Sequence, residues 1–74
     1  MPSTPIATVD PSVGRVLRTA RVAAGITRRA LARQAGVDHS HLGRFEHGER
    51  AVSESFYAHV TAALAVLIEK NDAA

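Results

Sequence analysis

The stretch that most constrains this chain is Thr27 to Gly48, TRRALARQAGVDHSHLGRFEHG. It reads as two short helices joined by a tight turn. Leu31, Ala35 and Gly36 mark the first helix and its end, Val37 and Asp38 open the second, and Leu42 and Phe45 give the second an apolar face. Asp38 is placed to cap the free backbone N–H groups of that second helix. Val37 just before the cap and Leu42 four residues into the helix can close a hydrophobic staple, which sets the angle between the two helices. The remaining positions of the second helix, His39, Ser40, Gly43, Arg44 and His47, are polar or small and read as a solvent face.

A chain of 74 residues has room for one domain and for only a small core. It contains no cysteine, which removes disulfides, thiolate chemistry and cysteine-ligated zinc, and agrees with a reducing compartment. The opening MPSTPIATVD has neither the basic start nor the apolar run of a secretory signal, and no stretch is apolar for the roughly 18 residues of a membrane span. The expectation is a cytoplasmic, nucleoid-associated protein with no membrane partner. Net charge is +2 but unevenly placed. Residues 11–44 carry seven arginines against one acid, Asp38, whereas residues 45–74 carry Arg50 and Lys70 against five acids. Eight of the nine basic residues are arginine, whose planar guanidinium suits phosphate and guanine. The bland reading of this excess is a solvated face. Beside two helices in a tight turn it points instead to a polyanion, with double-stranded DNA as the expected partner.

Residues 1–10 include Pro2 and Pro5 without periodicity and read as a flexible arm, and 71–74 as a flexible tail, leaving 11–70 as the domain. Asp10 followed by Pro11 is a cap and a first-turn proline. Val13, Val16, Leu17, Ala20 and Ala24 then repeat at helical spacing, predicting helix 1 over about 11–24. Thr27 caps a second helix over about 28–35, ended by Gly36, and a third runs over about 39–46. HGERAV follows as a loop with Gly48 in the left-handed conformation, and Ser53 starts helix 4, about 54–70. On helix 4, Phe56, Val60 and Leu67 are expected to close the core. Tyr57, Leu64 and Ile68 widen the stripe and are assigned to a dimer interface. The fold class is all-α: a compact four-helix domain with an extended C-terminal helix.

The segment LRTARVAAGITRRALARQAGVDHSHLGRFEHGER resembles the Cro and lambda-repressor-like helix-turn-helix family, also called XRE-type, and the resemblance covers about 16–64. It rests on Arg21 before the Gly25-Ile26-Thr27 turn, on Leu31-Ala32 and Gly36-Val37, and on Phe45-Glu46-x-Gly48. The resemblance implies a structural ion pair between Arg21 and Glu46. It also implies base contacts from the start of helix 3 and one turn later, here His39, Ser40 and Arg44. Three positions depart from the family pattern: Arg28 replaces the usual glutamine, His47 the usual asparagine and Val52 the usual proline. Helix 4 also continues where a turn and a fifth helix commonly follow.

Among the candidate base readers Arg44 is the strongest, because a guanidinium bonds guanine O6 and N7 together, whereas Ser40 discriminates little and His39 can donate to base or phosphate. The bland reading of Arg44 is a surface arginine touching phosphate alone. Arg28, Arg33, His41, His47 and Arg50 are the expected phosphate contacts. His39, His41 and His47 lack the spacing that puts two ligands on one helical face and have no cysteine or suitable acid beside them, so no metal is expected. No cofactor and no enzyme activity are expected either, since no phosphate loop or nucleophile with a base at motif spacing is present. The leading reading is a sequence-specific transcriptional regulator, a dimeric repressor or autoregulator on an inverted-repeat operator. The rival is a protein-interaction module, such as an antitoxin-like subunit whose C-terminal helix docks on a protein partner.

Overall fold

The computed structural model describes residues 8–72. The rest of the expected N-terminal arm, residues 1–7, and residues 73–74 of the expected tail lie outside the described residues. Four helices follow one another, α1 (Pro11–Ala23), α2 (Arg28–Ala35), α3 (His39–Glu46) and α4 (Glu54–Asp72), joined by a short ribbon of β1 (Thr8–Val9) and β2 (Val52–Ser53).

The helix starts follow from side chains that satisfy the first free N–H groups. Asp10 accepts from the Ser12 amide at 2.8 Å, with Pro11 in the first turn. Thr27 accepts from the Ala30 amide at 3.0 Å, and Asp38 from the His41 amide at 2.8 Å. Ser53 accepts from the Phe56 amide at 3.1 Å, so α4 begins where its cap predicts. At the other ends Gly36 and Gly48 take φ of +69° and +75°, a region other residues enter at a cost.

Leu17, Ile26, Leu31, Ala32, Leu42, Phe45, Val52, Val60, Ala63 and Leu64 form one buried cluster. Val37 packs on the edge of this cluster, of which fully buried Leu42 is a member. The main seams are α4 on α2 and α1 on α3. The second seam closes because α1 presents Gly14 there: a Cβ at that position would overlap the carbonyl of Phe45.

The all-α four-helix architecture is as expected, with four local differences. Thr8 and Val9 are paired antiparallel with Ser53 and Val52, so the arm read as unstructured through residue 10 is tied down from residue 8. Val52, read as loop, is 3% exposed and stands in the core, which is why the ribbon forms. α4 extends to Asp72, past the expected end at 70 and into the expected tail. On α1, Val16 is 69% exposed and Ala20 is also outside, while Gly14, Leu17 and Arg21 face inward. Of the expected repeat, Val13, Leu17 and Ala24 do pack on the core, while Val16 and Ala20 lie outside it.

Candidate nucleic-acid interface

The candidate interface centres on α3, which is packed against both α1 and α2. Its buried side carries Leu42, Phe45 and Glu46, and Glu46 is 1% exposed although charged. That burial is compensated by three hydrogen bonds. Arg21 donates through Nε to Glu46 Oε2 at 2.8 Å and through a terminal nitrogen to Oε1 at 2.9 Å, and Arg28 donates through Nε to Oε1 at 3.1 Å. Arg21 spends its remaining terminal nitrogen on the Ile26 carbonyl at 2.8 Å, which links the α1–α2 turn to the same carboxylate. A buried carboxylate with fork-shaped donors is bound in one orientation. α1, α2 and α3 thus meet at one rigid node.

On the opposite side of α3, His39, Ser40, Arg44 and His47 are exposed. Ser40 and Arg44 lie one turn apart, and His47 lies within roughly 60° of Arg44 around the helix axis. Arg50 is exposed in the segment that follows. This face carries four groups able to donate to nucleic acid, and the one carboxylate exposed in the following segment is Glu49, beside Arg50. Asp38, at its edge, is engaged with the helix start.

Arg28 is more constrained than its sequence position implied. Its guanidinium leans over Gly43, 3.2 Å from where a Cβ on that residue would stand, while 26% of the side chain remains exposed. Gly43, expected on the solvent face, is therefore buried beneath Arg28, and nothing in the residue spacing announced it.

Two expected phosphate contacts are placed elsewhere. His41 turns its ring onto Phe56 of α4, with centroids 4.5 Å apart, and its Nε2 is shielded from solvent without a hydrogen-bond partner among the described residues. It packs α3 on α4 and does not stand on the open face. Arg33 lies roughly 140° around α2 from Arg28. It borders a shallow depression shared with Arg29, Gln34 and Leu67, on the α4 side. The dimer assignment also changes at Leu64, which is 7% exposed and part of the protein's own core. Tyr57 sets its ring edge-on to Phe45 at 6.1 Å, and with Ile68 it is half-buried at the margin of that core. Phe56 and Leu67, expected at the centre of the stripe, are also only half-buried.

Among the described residues no group of three or more histidine, cysteine or acidic side chains is placed to hold a metal ion. No described helix is long and apolar enough to cross a membrane.

Two short helices locked at a fixed angle, the second with a polar, cationic open face, define a helix-turn-helix DNA-binding protein. Comparison with known proteins gives the family: a helix-turn-helix domain model matches residues 12–72. The chain belongs to the XRE-type helix-turn-helix family of DNA-binding transcription regulators. Its structure is similar to the restriction-modification controller protein C.AhdI from Aeromonas hydrophila, with a TM-score of 0.67 and 33% identity over 78% of this chain and 88% of that one. No curated protein matches.

Proposed function

We propose that this protein is a dimeric, sequence-specific regulator that sets α3 of each subunit into successive major grooves of an approximate inverted repeat, as a repressor or autoregulator of a small operon. The observation that carries the reading is the open face of α3, with Ser40 and Arg44 one turn apart and His39 at the helix start, backed by a buried ionic node that fixes its aim. Arg44 is the base reader with most to contribute, since its fork can take both acceptors of a guanine. His39 and Ser40 complete the reading set. Arg28, His47 and Arg50 position the helix on phosphates, which carry no sequence information themselves. The similarity to a restriction-modification controller protein supports a regulatory role.

Regulation by occupancy needs two half-sites about 34 Å apart. Selection of bound sites from random DNA tests the reading. The expected outcome is an inverted repeat with a guanine common to both halves, bound with an affinity that falls steeply with salt. Absence of enrichment, with no binding at low salt, would overturn it and leave the protein-interaction module as the better account.

A further inference from the structure

A second group of arginines stands beside α3, on helix α1. Arg15 and Arg18 are both exposed, and with Thr19, Glu46 and His47 they line one depression at the C-terminal end of α3. Neither has a carboxylate partner among the described residues, because the one acid in the depression, Glu46, is already taken by Arg21 and Arg28. The Arg15 guanidinium occupies the space where a Cβ on Gly48 would stand, while that of Arg28 stands 3.2 Å from the corresponding point at Gly43. Two guanidinium groups are therefore laid against the backbone of α3 and its following turn, one at each of two glycines, with Arg18 beside them.

Cations that converge on one depression repel each other in the free protein, and an anion placed between them relieves that repulsion. Each planar fork can hold two oxygens of a phosphate. We propose that Arg15 and Arg18, together with His47, form a phosphate-binding site that grips the DNA backbone next to the phosphate faced by Arg28. The site extends the contact from helices α2 and α3 onto α1, along one flank of the recognition helix. This proposal rests on the DNA-binding reading above.

The test is the salt dependence of binding to a selected site, compared between wild type and Arg15→Ala/Arg18→Ala. Loss of two phosphate contacts lowers the slope of log K against log salt by about 1.8, since each neutralised phosphate contributes about 0.9. The order of preference among DNA sequences stays the same, because phosphate contacts do not read bases. Arg15→Lys/Arg18→Lys, which keeps the charge, retains most of the slope. Arg18→Ala alone, at an exposed position that backs no glycine, lowers it by about 0.9 and serves if the double variant does not fold. A slope unchanged in Arg18→Ala, or in a folded double variant, overturns the site while leaving the DNA reading intact. A flat salt response in wild type overturns both.

Discussion

Arg28 and Gly43 are in contact across the turn between α2 and α3: the guanidinium of one rests where the other lacks a side chain. The contact ties the start of α2 to the middle of the recognition helix, and through Glu46 it joins the ionic node beneath. Gly43→Ala places a methyl group 3.2 Å from an arginine nitrogen, so the arginine must shift a few tenths of an ångström. A helix gains about 1 kcal/mol from that substitution on propensity alone. The expected outcome is an unchanged or higher melting temperature with weaker DNA binding at all sequences alike. Thermal melts and binding titrations on the same variant check it.

The ionic node should be asymmetric. Arg21→Ala leaves Glu46 with Arg28 as a partner, whereas Glu46→Ala strands two guanidinium groups, one of them 7% exposed. Breaking a buried pair costs on the order of 3 kcal/mol. Glu46→Ala is therefore expected to be the more destabilising change, and a double-mutant cycle between Arg21 and Glu46 should show strong coupling in denaturant melts. Additive effects would remove the node from the account of how α3 is aimed.

Gly14 decides between two opposed effects. On helix propensity, Gly14→Ala should stabilise α1 by about 1 kcal/mol. The new Cβ would overlap the Phe45 carbonyl, and overpacking of this kind costs about 1 to 3 kcal/mol or more. Because the obstacle is backbone, which cannot swing aside, the net sign is destabilising, and a lowered melting temperature checks it.

Much of the architecture was legible because the signals at helix ends are local. Asp10 with Pro11, Thr27, Asp38 and Ser53 each meet their amides within three residues, so spacing alone locates the starts. What could not be read depends on contacts distant in sequence. Gly14 has no side chain to mark a face, and its place on the buried side of α1 follows only from its approach to Phe45. Val9 and Val52 pair across 43 residues, and neither segment has strand length enough to announce itself. His41 falls between the polar and the core-facing sides of α3, where spacing leaves a phosphate contact or none equally open, and Phe56 on α4 takes the ring. For the site, the motif placed Arg44, His39 and Ser40 on the open face of α3, whereas Arg33 carries the same charge on the α4 side of α2.

Asp10 links the arm to the first helix, and its contribution should depend on pH. Hydrogen bonds from the Ser12 hydroxyl and then the Ser12 amide hold its carboxyl below the ordinary value of 3.8. A folded-state value below the unfolded one means that the stabilisation is complete above the unfolded value and is lost as pH falls through the folded one. Asp10→Ala should accordingly melt below wild type at neutral pH, and the gap should close in strong acid. Melting curves of both proteins across that range check the direction.

The dimer proposed above must use a surface that the fold leaves available. A single recognition helix buries too little for tight, specific binding, and joining two half-sites multiplies affinity. On α4 Leu64 is spent on the core, so a charge there should unfold the protein, not separate its subunits. Tyr57 and Ile68 stand at the rim of the same stripe, half-buried, with Tyr57 also braced against Phe45. Ile68 is therefore the position at which the two roles can be told apart. Ile68→Glu is expected to keep its helical signal, lose self-association and bind the operator much more weakly. Leu64→Glu is expected to lose the helical signal itself. Sedimentation beside circular dichroism reads both, and an Ile68→Glu protein that still dimerises would move the interface off α4.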